Sequence, residues 1–237
     1  MMDIFTQALG DISGGRVLDV ATGEGGFIEI LRGSLKDYAE IIGIDTGECA
    51  TEAARSTFDE ENIHFIQMDA EQLGFEDQCF DTVNVSASLH HLTNVPRVLA
   101  EMKRVLKPGG NFVISEMHRD GRTEPQLTAV CIHHWAAEVD SALGLVHNRT
   151  LARQELVDLV EALGLCNIVF RDFADTDSDP RDEAAIKGIE SYVDRYVQRA
   201  RGLPNYEALE GRGEELRRRL HEVGVRREPV LIITGMK

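Results

Sequence analysis

No stretch of roughly 18 consecutive apolar residues occurs, so a membrane-crossing helix is not expected. The opening residues, M-M-D-I-F-T-Q-A-L-G, lack the basic segment followed by an apolar one that marks a secretory leader. The four cysteines (Cys49, Cys79, Cys131, Cys166) lie far apart and form no C-x-x-C pair. Such spacing excludes a close-set thiol motif and suits reduced thiols. A cytoplasmic protein is therefore expected. Positive charge is also scarce, with 25 Lys and Arg against 41 Asp and Glu, a net charge of −16. Nucleic-acid binders usually carry a basic surface, so neither nucleic acid nor membrane is expected as a partner. Repeats, low-complexity tracts and flexible linkers are absent. That leaves 237 residues for one large α/β domain with insertions.

Against this scarcity, one segment is basic. Arg195 to Arg227 holds nine Arg and five Glu, a local charge of +4, which leaves −20 on the rest. A solvated helix face laced with ion pairs accounts for such a run, and so does local attraction for an anionic substrate.

The most informative stretch is V-L-D-V-A-T-G-E-G-G-F, Val17 to Phe27. Residues suited to a buried strand run straight into glycines Gly23, Gly25 and Gly26, and a helix-like segment follows. A parallel strand turning sharply into a helix places bare backbone N–H groups beside a ligand. Glycine lets that ligand come close, because no Cβ is in the way. A nucleotide-like cofactor is expected.

Strand-like runs at Arg16–Val20, Glu40–Ile44, Ile63–Met68, Thr82–Ser86 and Asn111–Glu116 alternate with helix-like runs at Gly26–Leu31, Glu48–Phe58 and Val95–Leu106. That rhythm predicts a doubly wound α/β fold, a mostly parallel sheet with helices on both faces. Pro108-Gly109-Gly110 should stop the last of these helices and turn the chain. Thr123-x-x-Gln126 is a capping-box pattern with Pro125 in the first turn, so a helix is expected from about Glu124 to Leu143. Ile132, Trp135, Val139 and Leu143 would share one of its faces. A helix over Arg153–Leu163, a strand over Cys166–Phe173, helices near Asp182–Ala200 and Tyr206–Val223, and a seventh strand at Pro229–Gly235 complete the chain.

Three further features narrow the cofactor. Met68-Asp69-Ala70 ends the third strand, Phe80-Asp81-Thr82-Val83 leads the fourth, and L-K-P-G-G (Leu106–Gly110) leads the fifth. With V-L-D-V-A-T-G-E-G, their order and spacing resemble class I S-adenosylmethionine-dependent methyltransferases over about Arg16 to Glu116. A-T-G and S-x-x-H-H-L look like the ubiquinone/menaquinone C-methyltransferase and sterol-methyltransferase-like group, with a methyltransferase domain of the type-11 kind. The resemblance implies a Rossmann-like seven-stranded sheet with an antiparallel last strand. It implies S-adenosyl-L-methionine as cofactor and methyl transfer by in-line displacement as the reaction. Asp19 would hold the methionine amino group, and Ala21, Gly23 and Gly25 would present backbone to the methionine portion. Asp45 would take the ribose hydroxyls with Thr46 beside the ring, Asp69 and Ala70 would grip adenine, and the Ser86 carbonyl would meet the methionine ammonium. Ala21 stands where the family often has a glycine, and a tight turn with negative φ is expected there.

The chain divides by this reading into a cofactor-binding core over residues 1–116 and a helical cap insertion over 117–150. A core helix with the sixth strand spans 151–173. A second cap insertion covers 174–226, and the last core strand covers 227–237. A cap enclosing a small-molecule acceptor and excluding water is the economical inference, and pairing of two copies through that surface is the other reading of it. Histidines supply candidate bases if the acceptor is protonated. His118 comes first, because it follows the fifth strand, and then His134 and His91. No metal site is assigned, because His133 and His134 diverge on a helix. His118, His147 and one of that pair could still converge. A nicotinamide-dependent reductase and a noncatalytic cofactor-binding subunit of a modification complex are the alternatives. Asp69-Ala70 counts against the first, and a closed apolar cap would count against the second. No N-P-P-Y-like motif marks a nitrogen acceptor, and the cysteines form no arsenite-type trio.

Overall fold

The computed structural model describes residues 2–121 and 123–237. Seven strands form one sheet: β1 (Arg16–Val20), β2 (Glu40–Asp45), β3 (Ile63–Gln67), β4 (Phe80–Ser86), β5 (Leu106–Met117), β6 (Cys166–Phe173) and β7 (Val230–Met236). Their order is β3-β2-β1-β4-β5-β7-β6. β1 to β5 run parallel, and β7 is antiparallel to both β5 and β6. The antiparallel last strand is as the sequence predicts.

Eight α-helices accompany the sheet among the described residues: α1 (Met2–Leu9), α2 (Gly26–Ser34), α3 (Glu48–Thr57), α4 (Val95–Val105), α5 (Glu124–Ala142), α6 (Arg153–Glu161), α7 (Glu183–Ala200) and α8 (Tyr206–Val223). On one face of the sheet, Leu18, Val20, Val83 and Val85 pack against Val98, Leu99 and Met102 of α4 and Leu156 and Val160 of α6. On the other, Val17, Ile41 and Val113 pack against Phe5 and Leu9 of α1, Ile28 and Leu31 of α2 and Ala54 of α3. Burial on both faces is what a parallel strand requires, and it explains the near-continuous apolar runs in the sequence.

Two sequence expectations need correction. α4 ends at Val105, but Pro108-Gly109-Gly110 does not separate it from the next strand. β5 begins at Leu106, pairs with Phe80, and absorbs the glycines at a register shift between Phe80 and Thr82. Gly109, at φ 75°, lies in the bulge of residues 107–110, which have no partner on β4. Leu143 does not join the apolar face of α5. It lies beyond the helix, 41% exposed.

α5, α7 and α8 form a separate layer with its own core, in which Ile132, Trp135 and Val139 meet Val193, Tyr196, Val197 and Leu209. The capping box of α5 is present. Thr123 Oγ1 accepts from Gln126 N–H at 3.4 Å, and Gln126 Oε1 accepts from Thr123 N–H at 3.1 Å. The basic run of α7 and α8 is tied to acids on neighbouring helices: Arg212 to Glu138, Arg217 to Asp194, Arg219 to Glu124 and Arg199 to Asp140.

Strand register fixes where this layer leaves the sheet. Met117 ends β5 opposite Val230, and Phe173 ends β6 opposite the same residue. β6 runs parallel to β1 to β5, so Met117, Phe173 and Val230 all lie at the carboxyl edge that also carries Asp45 and Ser86.

Candidate functional site

Ligands of open α/β sheets bind outside the carboxyl ends of the strands, at the point where strand order reverses. Here that point lies between β1 and β4. Two cavities open there. One, of about 500 Å³, is lined by Asp19, Ala21, Gly23, Ser86, Phe27 and Phe173, among others. The second, of about 560 Å³, is lined by Ala21, Asp45, Thr46, Asp69, Ala70 and His91, among others. Ala21 belongs to both, so the two cavities meet at the turn that follows β1.

This turn is built from conflict between strand and helix geometry. Ala21 adopts φ 55°, which corrects the expected negative value. Residues 21–25 carry the chain from β1 to α2, and the turn opens in the left-handed region at Ala21. A Cβ there costs about 1–2 kcal/mol. Ala87, just beyond β4, has φ 46° and lines the same cavity. Gly25 has φ 86°, and a Cβ on it would come within 2.5 Å of the Phe58 ring. Gly23 and Gly26 differ from Gly25. No protein atom lies within 4 Å of where their Cβ would be, and both line the first cavity. Their missing side chains leave room for a ligand.

Asp19 lies beneath the turn, 1% exposed. Its carboxylate accepts from the Thr22 hydroxyl at 2.6 Å and from the Asn84 amide at 2.5 Å. Burial nevertheless pushes its pKa up to about 6, against the lowering effect of those two hydrogen bonds. Asp45 ends β2. Its carboxylate accepts from Gly23 N–H and Gly47 N–H, each at 2.9 Å, and so ties the glycine turn to the neighbouring strand. The Asp69 carboxylate accepts from Glu71 N–H at 2.8 Å and is exposed to the second cavity. Gln67 Nε2 donates to the Thr46 carbonyl at 2.9 Å. The Ser86 carbonyl accepts from the Ser88 hydroxyl at 2.7 Å.

The structure does not bring the three candidate bases together. His91 is at the rim of the second cavity, its pKa held down by burial of its inner edge and by the nearby His90 and His147. His134 lines a different hollow, with Cys131, Trp135 and Arg212, and bonds to Thr150 Oγ1 at 2.9 Å. Burial, His133 and two arginines lower it to about 4. His118 is buried with Nδ1 3.7 Å from Asp120, and its backbone N–H donates to the Pro229 carbonyl at 3.0 Å. It lines neither cavity. Glu116, at the end of β5, is spent on structure. It accepts from Ser88, Leu89 and Met117 N–H groups at 3.0, 2.7 and 3.0 Å.

Some lining residues escaped the sequence reading. Ile4 and Phe5 of α1 and Arg227 and Glu228 before β7 all line the first cavity. Gly10 marks the end of α1, but nothing local shows that its first turn faces a cavity, and nothing local marks R-R-E-P as facing a site formed 200 residues earlier in the chain.

Residues 18–114 match the family model described as a methyltransferase domain. The demethylmenaquinone methyltransferase of Lactococcus lactis is 37% identical over 113 residues, covering 46% of this chain and 45% of that protein. The ubiquinone/menaquinone biosynthesis C-methyltransferase UbiE of Ectopseudomonas mendocina is 32% identical over 112 residues, covering 46% and 44%. The chain thus spans less than half the length of these relatives. Among solved structures, the YcgJ protein of Bacillus subtilis superposes with a TM-score of 0.64 at 21% identity, covering all of this chain and 97% of that one. A Haemonchus contortus phosphoethanolamine N-methyltransferase 2, complexed with phosphomonomethylethanolamine and S-adenosylhomocysteine, superposes at 0.60 with 16% identity, covering 100% and 52%.

Proposed function

We propose, from the match of residues 18–114 to the methyltransferase-domain family model, that these residues form a class I S-adenosylmethionine-dependent core and that this protein methylates a small-molecule acceptor. The observation that carries the reading is the pair of cavities joined at Ala21. The one at Asp45, Asp69 and Ala70 offers carboxylates at the ends of β2 and β3, where ribose hydroxyls and an adenine amino group would be held. The one at Asp19, Ala21, Gly23 and Ser86 offers a buried carboxylate and bare backbone for the methionine portion, with Gly25 shaping the turn and Thr46 beside the ribose. When bound, S-adenosylmethionine supplies a methyl group on a sulfonium.

The rest of the first cavity suits the acceptor. Phe5, Phe27, Ile30, Met117, Phe173 and Val230 give it apolar walls, and its volume falls within the usual range for small-molecule sites. The layer of α5, α7 and α8, with its flanking loops, contributes Asp140, His147, Arg199, Arg227 and Glu228 to the cavity walls. We read this layer as a cap that positions the acceptor and excludes water. Positioning two reactants accounts for roughly 7–11 kcal/mol of a barrier, so no proton transfer is needed unless the acceptor carries a proton. Of the three candidate bases, only His91 lines either cavity, and it lines the second.

Calorimetric titration with S-adenosylmethionine, S-adenosylhomocysteine, NADH and NADPH tests the cofactor. The first two should bind with one site per chain. Binding of a nicotinamide cofactor alone would overturn the reading. Incubation with methyl-labelled cofactor and a metabolite extract should then reveal a labelled small molecule. Label confined to protein or RNA would refute the acceptor class.

A further inference from the structure

Three histidines from separate elements converge beside the second cavity: His90 in the turn after β4, His133 on α5 and His147 in the loop before α6. One ring nitrogen from each lies within 4.8 Å of the other two. His133 Nε2 and His147 Nε2 face each other at 3.0 Å. Each ring also has a carboxylate beside its Nδ1. His147 Nδ1 is 2.8 Å from Asp140, His90 Nδ1 is 3.3 Å from Glu116 and His133 Nδ1 is 3.5 Å from Glu228.

A neutral imidazole carries one N–H. Asp140 accepts that of His147 at Nδ1, which leaves His147 Nε2 as a lone pair. The lone pair faces His133 Nε2 across 3.0 Å, where either an N–H of His133 or a cation meets it. A metal ion satisfies every ring at once, and a carboxylate behind each ligating imidazole is the arrangement that orients metal-bound histidines.

We propose that His90, His133 and His147 bind one divalent transition-metal ion of the zinc type. Three neutral imidazoles suit Zn²⁺ and its neighbours in preference to the hard ions Mg²⁺ and Ca²⁺. Tetrahedral zinc at its usual bond length keeps ligand nitrogens about 3.3 Å apart, so the His133–His147 pair is already near its bound spacing. Three protein ligands leave a fourth position, the pattern of zinc sites that also take water or substrate. His147 lines the cavity at Asp45, so the ion would lie in the wall of the candidate site. It would also tie α5 and the following loop to the end of β4. The inference rests on the histidines alone and stands whether or not the methyltransferase reading does.

The test uses the full chain, freed of metal with a chelator and dialysed. Zn²⁺ should bind at one ion per chain by elemental analysis, and Co²⁺ should give the visible absorption of a tetrahedral imidazole site. His133→Ala and His147→Ala should each weaken binding more than 100-fold. Glu228→Gln, which leaves the ligands in place, should weaken it about 10- to 100-fold. His221→Ala removes a surface histidine paired with Glu190 and should change nothing. Circular dichroism establishes that each variant is folded. A folded wild-type chain that takes up neither ion overturns the proposal, and the His133–His147 contact is then an N–H···N hydrogen bond. One-to-one binding that survives the double variant His133→Ala/His147→Ala overturns it equally.

Discussion

Asp19 holds a carboxylate where the fold admits almost no water, and burial raises its pKa from 3.8 to about 6. A rise of that size is worth about 3 kcal/mol. The sign is unfavourable, because the folded state penalises the charged form. The cost is absent below the unfolded pKa of 3.8, grows as pH rises, and is complete above about 6. Asp19→Asn should therefore flatten the fall in stability of the ligand-free protein between pH 4 and 6.5, measured by urea melts. The same carboxylate would attract the cofactor's ammonium group. Wild-type affinity for S-adenosylmethionine should fall as pH drops below about 6, about tenfold per pH unit, and calorimetry on Asp19→Asn should show no such fall. Asp45→Ala should weaken cofactor binding by about 1.5–3 kcal/mol, the scale of charge-assisted hydrogen bonds. Unchanged affinity in the folded variant would refute the ribose role. Ala21 allows a purely conformational test. Ala21→Gly should raise stability by about 1 kcal/mol, whereas Ala21→Val, a β-branched residue at φ 55°, should lower it by more than that.

At the scale of elements, legibility followed the range of the forces involved. Arg16–Val20, Cys166–Phe173 and the cap of α5 at Thr123 could be read from the sequence because local rules set them: β-branched runs, glycine stops and a hydroxyl three residues before Gln126. α1 was missed because its packing partners, Phe27 among them, lie in α2 and not in its own sequence. The convergence of His147 with His133 is as the sequence allows, but the third member is His90 and not His118, for a related reason. Helical geometry correctly separates His133 from His134, but it gives no hint that His90, 43 positions away, arrives beside His133. Chain position alone also misplaces a candidate base. His118 directly follows β5, yet it turns into the protein and not toward the cavities. The placement of these residues gives an expected order of effects. His91→Ala should lower kcat/KM for an acceptor that must lose a proton by about 10²-fold or more. His134→Ala, in its separate hollow, should leave turnover within twofold of wild type. A reversed order, measured as kcat/KM on one labelled acceptor, would remove His91 from the reaction.

For the whole molecule, the net charge of −16 and the pairing of the α7–α8 arginines with acids of neighbouring helices point the same way. Gel-shift assays with tRNA and with duplex DNA at micromolar protein should show no complex. A shift that weakens with salt would instead make the Arg195–Arg227 segment a phosphate-binding surface. Among the described residues no helix is long and apolar enough to cross a membrane. The position of β7 has a consequence in time. β5 and β6 do not pair; β7 lies between them and pairs with both, yet it follows every other element in chain order. While the chain is being synthesised, β1 to β5 can assemble early, but the outer edge of β5 stays bare until residues 230–236 arrive. β6 has no strand partner of any kind before then. An unpaired edge is a template for association with other chains. A nascent chain halted before Val230 should therefore resist protease over β1–β5, be cut readily at β6, and draw on chaperones that the finished molecule no longer needs.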